Sequence, residues 1–274
     1  MDRKQLTGLI RKKNSFLCIG LDSDINRIPR HLMQEDDPVF AFNKQIIDST
    51  IDIAVAYKPN LAFYESRGTE GWKSLQKTIG YLNRFGDEVF TIADAKRGDI
   101  GNTSKQYARA FFETFDFDAV TVAPYMGEDS VSPFLDFEGK WVILLALTSN
   151  RGYSDFQELS TGEEKLYEKV IKTAGKWGGP DQLMFVVGAT RSYMIGHVRA
   201  LAPENFFLVP GVGAQGGSLR EVAEQGMNKD IGLLVNSSRG IIFAGDGEDF
   251  AEKARAEAGK LQREMEQLIA RLSD

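Results

Sequence analysis

The stretch Val89-Phe90-Thr91-Ile92-Ala93-Asp94-Ala95-Lys96-Arg97-Gly98-Asp99 joins an apolar, β-branched run directly to a cluster of charges. The run Val89–Ala93 predicts a buried strand, and the period of two along a strand directs the side chains of Asp94 and Lys96 to one face. Asp99 follows in the next turn. Charged side chains are rarely buried without partners, so the cluster is either a functional site or a charged surface loop.

Further runs of this kind recur along the chain, and segments with helical periodicity separate them, which is the pattern of β/α units. The predicted strands are Phe16–Leu21, Ala54–Lys58, Val89–Asp94, Ala119–Val122, Trp141–Ala146, Met184–Val187, Phe206–Val209 and Leu233–Asn236. The predicted helices are Val39–Ile53, Gly71–Asn83, Ser104–Thr114, Glu164–Lys176, Ser192–Leu201, Ser218–Gln225 and Asp249–Leu272.

Eight alternating strands favour an α/β fold of the closed (β/α)8 TIM-barrel type over an open doubly wound sheet. The first strand is followed by Asp22-Ser23-Asp24, so the open alternative lacks the glycine-rich dinucleotide fingerprint. A length of 274 residues matches one such barrel, and no change of composition divides the chain. We therefore expect residues 1–274 to form a single domain.

The composition narrows the functional class. A net charge of −6 argues against a large nucleic-acid interface and against attraction to anionic membranes. A single cysteine, Cys18, precludes an intrachain disulfide, and the first residues lack the apolar stretch of a signal peptide, so a cytoplasmic location is predicted. His31 and His197 are isolated, and no metal site is predicted.

In a β/α barrel, functional residues lie where the strands end. The first three predicted strands end at charged residues, and the fifth ends at polar ones: Asp22; Lys58; Asp94, Lys96 and Asp99; Ser149 and Asn150. Each has an ordinary alternative, because Lys58 could extend to solvent, Asp22 could cap the next segment, and Ser149 and Asn150 could be turn residues. Their combination favours a site for a polar ligand.

Two segments near the end of the chain indicate phosphate binding. The glycine-rich segment 210–217 follows strand seven, and Ser237-Ser238-Arg239-Gly240 follows strand eight. Barrel enzymes often hold phosphate with these two loops, where backbone N–H groups approach the anion. The glycine-rich loop alone could be a flexible turn, but Arg239 adds a permanently charged guanidinium suited to phosphate oxygens.

Taken together, the segment 94–103 resembles the signature of orotidine 5′-phosphate decarboxylase, in the form of its longer bacterial type, the type 2 subfamily. The resemblance extends over nearly the whole chain in family order, through Leu21-Asp22, Lys58-Pro59-Asn60, Pro210-Gly211-Val212-Gly213-Ala214-Gln215-Gly216 and Asn236-Ser237-Ser238-Arg239-Gly240. It implies an enzyme without metal or organic cofactor that converts orotidine 5′-monophosphate to UMP and CO₂ in de novo pyrimidine biosynthesis.

The resemblance also implies roles for individual residues. The catalytic array would be Lys58, Asp94, Lys96 and Asp99, with Lys96 donating the proton to C6 of the pyrimidine. Substrate contacts would come from Asp22 and Lys58 to the ribose hydroxyls, Thr103 to the ribose side, Ser149 to the pyrimidine, and Gln215, Gly216 and Arg239 to the phosphate. Asp99 and Thr103 would reach the site of a neighbouring subunit, so a homodimer with shared sites is expected.

Two other functions remain open from the sequence. One is a related sugar-phosphate decarboxylase, such as that acting on 3-keto-L-gulonate 6-phosphate, which shares the D-x-K-x-x-D pattern but uses magnesium. In this chain, Glu65 is the nearest additional carboxylate that could contribute to a magnesium site. The other is a non-catalytic barrel that binds nucleotide phosphates, which would not need four alternating charges.

Arg97 could pair with a neighbour or face solvent, and segment 151–162 could be part of a lid or a surface insertion.

Overall fold

A computed structural model shows a closed barrel of eight parallel strands, each hydrogen-bonded to its neighbours in chain order, with the eighth strand pairing with the first. The structure describes residues 1–189, 192–212 and 217–272. The strands are β1 (Leu17–Leu21), β2 (Ala56–Pro59), β3 (Phe90–Arg97), β4 (Ala119–Val122), β5 (Trp141–Leu147), β6 (Leu183–Val187), β7 (Phe207–Pro210) and β8 (Leu233–Ser237).

The predicted barrel is confirmed, and all eight strands occur where the sequence predicts them. Nearly every strand residue is buried, as expected for parallel strands covered on both faces. The largest difference is at β3, which continues to Arg97 instead of ending at Asp94. The strand therefore carries the charged cluster itself.

The helices of the described residues surround this barrel. They are α1 (Arg3–Lys13), α2 (Pro38–Thr50), α3 (Ala62–Glu65), α4 (Gly68–Leu82), α5 (Gly101–Arg109), α6 (Ser132–Leu135), α7 (Leu166–Ala174), α8 (Ser192–Leu201), α9 (Leu219–Gly226), α10 (Arg239–Ile242) and α11 (Phe250–Ala270). Short 3₁₀ turns occupy Ile25–Arg27, Arg30–Gln34, Asn83–Glu88, Glu128–Ser130 and Arg151–Asp155, and a π turn, Ala110–Thr114, extends α5.

Helix α1, which the sequence analysis did not predict, closes the N-terminal end of the barrel. Its first turn is held by a capping box between Asp2 and Gln5. Arg3 donates hydrogen bonds to the carbonyls of Pro180 and Glu204, and it pairs with Asp230. These partners lie in the connections that precede β6, β7 and β8. Arg3 therefore links three connections at the N-terminal end of the barrel.

The outer layer of the core is rich in aromatic side chains. Phe42 of α2 stacks on Phe250 of α11 with ring centroids 5.2 Å apart, which fixes the last helix against the first half of the barrel. Within the described part of the chain, no helix is both long and apolar enough to span a membrane.

Candidate active site

A cavity of about 460 Å³ opens at the C-terminal ends of the strands. It brings together six of the residues predicted from the sequence: Asp22, Lys58, Asp94, Lys96, Ser149 and Arg239. They come from the ends of β1, β2, β3, β5 and β8, which meet only when the barrel closes. The cavity is therefore the candidate active site.

Asp94 lies between two lysine side chains at the base of this cavity. Its Oδ2 is 2.5 Å from the Lys58 Nζ, and its Oδ1 pairs with the Lys96 Nζ. Burial of Asp94 opposes ionisation, but the charges of Lys58 and Lys96 outweigh it and lower the pKa of the carboxyl to about 2. Asp94 is therefore a carboxylate at neutral pH.

Lys58 is buried, with only 6% of its side chain exposed. Burial disfavours its charged form, but the negative charges of Asp94 and Asp22 outweigh that cost, so the pKa of Lys58 is raised. The ordinary alternative for this residue, a lysine reaching out to solvent, is excluded by its burial.

Lys96 reaches the cavity through an irregular backbone. The register between β3 and β4 shifts between Ala93 and Arg97, and Lys96 has a φ of 47°, in the left-handed region that a lysine rarely adopts. The prediction that Asp94 and Lys96 share a face is confirmed, but a β-bulge rather than a regular strand brings them together. The Lys96 side chain remains 52% exposed, so it faces the open space where a ligand would sit.

Arg97, for which the sequence left two alternatives, pairs with a neighbour. Its guanidinium contacts Glu65 and lies 5.3 Å from the ring centroid of Tyr107, and its Nη1 donates a 3.0 Å hydrogen bond to the carbonyl of Ala95. Arg97 thus lies outside the cavity and stabilises the bulge through its hydrogen bond to Ala95. Glu65 is engaged in the same pair and does not line the cavity.

Asp22 lines the cavity, and one of its carboxyl oxygens accepts no hydrogen bond. Its Oδ1 is buried and has no hydrogen-bond partner. A buried carboxylate oxygen without a donor is costly, so the arrangement is suited to a ligand that supplies a hydroxyl or N–H group at this position.

The polar residues after β5 form a second wall of the cavity. Gln157 fixes this wall, because its Oε1 accepts a hydrogen bond from the Thr148 backbone N–H at 2.8 Å and its Nε2 donates one to the Thr148 Oγ1 at 2.9 Å. Ser149 and Asn150, next in sequence, both line the cavity. Gly188 approaches this wall so closely that a Cβ at that position would lie 2.8 Å from the Cα of Ser149.

Arg239, which is exposed, also lines the cavity. The Ser238 Oγ donates a 3.0 Å hydrogen bond to the Gly20 carbonyl, which anchors the loop after β8 to β1. No carboxylate of the described residues pairs with Arg239, which leaves its guanidinium free to bind an anion. Gln215 and Gly216, the other residues predicted to bind phosphate, lie outside the described residues.

Of the predicted site residues that the structure describes, Asp99 and Thr103 do not line the cavity of this chain. The Asp99 Oδ1 accepts a 2.7 Å hydrogen bond from the backbone N–H of Ile100, and Thr103 is exposed on the first turn of α5. The single chain therefore does not bring the fourth charge of the array to the other three.

Thr121 lines the cavity and was missed by the sequence analysis. It lies inside the predicted strand Ala119–Val122, where threonine is a common strand residue, so the only signal was one hydroxyl in an apolar run. Its side chain is buried and contacts both Asp94 and Lys96. Among the described residues, no three His, Cys, Asp or Glu side chains form a group suited to a metal ion.

Comparison with known proteins identifies the family. The profile of the orotidine 5′-phosphate decarboxylase / HUMPS family matches residues 15–254. Proteins named orotidine 5′-phosphate decarboxylase from Christiangramia forsetii and Flavobacterium johnsoniae are each 58% identical, over 99% and 98% of this chain and 100% and 98% of their own lengths. The solved structure of Leishmania donovani OMP decarboxylase has a TM-score of 0.80 at 37% identity and covers 96% of this chain and 99% of that one. The chain belongs to the orotidine 5′-phosphate decarboxylase / HUMPS family.

Proposed function

We propose that the protein decarboxylates orotidine 5′-monophosphate to UMP and CO₂ in de novo pyrimidine biosynthesis, and that Lys96 donates the proton to C6. The observation that carries this proposal is the Lys58–Asp94–Lys96 cluster at the base of the cavity. The two bacterial relatives that match the chain over nearly its full length bear the name of this enzyme.

The charges of the cluster fit the chemistry. Loss of CO₂ leaves negative charge at C6 that the pyrimidine ring cannot delocalise well, so the site must present fixed positive charge at that atom. The half-exposed ammonium of Lys96 faces the cavity and can stabilise this charge and then transfer its proton. The new C–H bond takes the electron pair that the departing carboxylate leaves behind.

Asp94 and Lys58 hold this ammonium in place. The Asp94 Oδ1 pairs with the Lys96 ammonium, and Lys58 balances the second carboxylate oxygen. In the proposed homodimer, Asp99 of the partner subunit completes the alternating array and Thr103 of the partner subunit contacts the ribose side. The position of both residues outside the cavity of their own chain is consistent with this arrangement.

The cavity supplies contacts for each part of the nucleotide. Asp22 and Lys58 would bind the ribose hydroxyls, and the unpaired Oδ1 of Asp22 is an acceptor for one of them. Ser149 would hydrogen-bond the pyrimidine, and Arg239 would hold the phosphate together with Gln215 and Gly216 of the glycine-rich loop. Membership of the type 2 subfamily and a cytoplasmic location stay predictions.

The magnesium-dependent sugar-phosphate decarboxylase is less well supported. Glu65, the additional carboxylate considered for a metal, is paired with Arg97 and does not line the cavity. A non-catalytic barrel would not need three alternating buried and half-buried charges, because burying charge costs free energy and clusters of this kind are characteristic of catalytic sites.

An ultraviolet assay that follows the disappearance of orotidine 5′-monophosphate tests the proposal. We expect the wild type to be active with and without EDTA, and Lys96→Ala to lose more than about 1000-fold in kcat, because both the proton donor and its charge are removed. Lys260→Ala, which removes an exposed lysine of α11, is the matched control and should keep wild-type activity. Inactive wild type, or substantial UMP formation by Lys96→Ala, would contradict the proposal.

A further inference from the structure

Lys96 owes its conformation to contacts made by its backbone as well as its side chain. With a φ of 47° inside β3, its N–H lies at the bulge, where the register of the ladder to β4 shifts. A buried N–H without an acceptor would be costly, and a non-glycine residue in the left-handed region is strained unless its surroundings fix it. Some group next to β3 must therefore hold this turn.

Thr121 of β4 supplies that group. The Lys96 backbone N–H donates a 2.9 Å hydrogen bond to the Thr121 Oγ1, and the same oxygen donates a 3.2 Å hydrogen bond to the Asp94 Oδ1. The directions follow from chemistry, because an amide N–H only donates and the Asp94 carboxylate only accepts. Asp94 Oδ1 is also the oxygen that pairs with the Lys96 ammonium.

We propose that Thr121 is a positioning residue for the decarboxylation, whose hydroxyl fixes the backbone of Lys96 and the carboxylate of Asp94 in one geometry. The inference rests on the proposed function and adds to it a residue that makes no proton transfer of its own. A single atom must accept one hydrogen bond and donate another at this position, so only a hydroxyl side chain satisfies both neighbours. Without it, the ammonium and the carboxylate are still present but are less well aligned.

Thr121→Val tests the inference, because valine keeps the shape of threonine and removes only the hydroxyl. We expect kcat to fall about 10-fold to 100-fold, as for the loss of a buried hydrogen bond to a charged group, with KM within about twofold of wild type. KM should be maintained because the proposed ribose, pyrimidine and phosphate contacts do not involve Thr121. Thr121→Ser, which restores the hydroxyl, should recover kcat to within about threefold of wild type.

Thr91→Val is the matched control. The Thr91 hydroxyl on β3 also accepts one hydrogen bond and donates another, both with Asp118 at 3.0 Å, and it is buried but does not line the cavity. We expect this variant to lower the thermal unfolding temperature and to leave kcat within about twofold of wild type. The control thus separates a general loss of buried hydrogen bonds from a loss of alignment at the site.

The outcomes separate the inference from the proposed function. An active wild type combined with an unchanged kcat in Thr121→Val overturns the positioning role alone, as does a Thr121→Ser variant no better than valine. An equal loss of kcat in Thr91→Val also overturns it. If Thr121→Val does not fold, Thr121→Ala provides the same measurement with less steric demand. An inactive wild type overturns the proposed function and the positioning role together.

Discussion

Asp94 links the stability of the protein to pH. Its carboxyl has a pKa near 2 in the folded protein, compared with about 3.9 in an unfolded chain, mainly because Lys58 and Lys96 outweigh the cost of burial. A lowered pKa stabilises the fold above the unfolded value, and that contribution is lost as the pH falls through the folded one. The contribution amounts to about 2 kcal/mol at neutral pH.

We therefore expect the difference in unfolding free energy between wild type and Asp94→Asn to be constant above about pH 5 and to change by about 2 kcal/mol between about pH 4 and pH 2. Urea unfolding followed by circular dichroism at a series of pH values measures this difference. Asp246→Asn, which alters an exposed carboxyl outside the cavity, is the control. If the difference in unfolding free energy between wild type and Asp94→Asn is the same at pH 2.5 as at pH 6, the pKa of Asp94 is not lowered in the folded protein.

Most of the charged residues that line the cavity were predictable from the sequence, whereas their local geometry was not. Charges after an apolar run pointed to Asp94 and Lys96, since buried charge needs a partner or a use. The left-handed φ of Lys96 and its bond to Thr121 arise from a register shift between two strands that are distant in sequence. A threonine within a strand resembles any other strand residue, so nothing in the sequence distinguished Thr121.

The ends of β5 and β6 must approach each other closely for Ser149 to face the cavity. A Cβ on Gly188 would lie 2.8 Å from the backbone N, the Cα and the Cβ of Ser149, a distance that real Cβ atoms do not tolerate. Backbone atoms of a strand end cannot move aside as a flexible side chain can. The glycine after β6 thus sets the position of the proposed pyrimidine contact.

Gly188→Ala should therefore displace Ser149 and raise KM for orotidine 5′-monophosphate by about 10-fold, the effect of weakening one hydrogen bond to the substrate. Steady-state kinetics measure this change. Gly80→Ala is the matched control, because Gly80 is an exposed residue of α4 and, apart from its neighbours along the helix, no atom lies within 4 Å of the added Cβ. That variant should keep wild-type KM, and an equally unchanged KM in Gly188→Ala would show that the strand ends can adjust.

The elements differ in how clearly the sequence encodes them. The strands were predictable because parallel strands in a barrel are buried on both faces and read as continuous apolar runs. Helix α1 was missed because it buries only Leu6, Leu9 and Ile10 and is otherwise polar. Its role at the base of the barrel depends on Arg3 and its carbonyl partners, which come from distant connections that a local pattern does not reveal.

The number of predicted strands favoured a closed barrel, and closure of the barrel explains how the site residues meet. Residues separated by more than 200 positions, such as Asp22 and Arg239, line one cavity because β8 pairs with β1. Subunit association is a property of surfaces, and the sequence predicted it only through the resemblance. Ile100, next to Asp99 in sequence, is a large apolar side chain that is exposed in the single chain.

The proposed sharing of sites between subunits leads to a complementation test. Lys96→Ala and Asp99→Ala should each abolish most activity as homodimers. In a mixed dimer, one site has lost both residues and the other has lost neither, since Lys96 and Asp99 of a given site come from different chains. Random pairing of the two variants in equal amounts should therefore restore roughly a quarter of the wild-type activity.

Coexpression of the two variants with different affinity tags, followed by purification through both tags, isolates the mixed dimer for the same ultraviolet assay. The purified mixed dimer should reach about half the wild-type kcat per chain, because one of its two sites is intact. Mixing Lys96→Ala with Lys58→Ala is the control, since those two residues belong to one chain's cavity and no intact site can form. Activity in the mixed dimer of Lys96→Ala and Asp99→Ala, but not in that of Lys96→Ala and Lys58→Ala, would require the site to span both subunits. An inactive mixed dimer of Lys96→Ala and Asp99→Ala would instead place Asp99 outside the shared site, because each chain of this dimer supplies the residue that the other lacks.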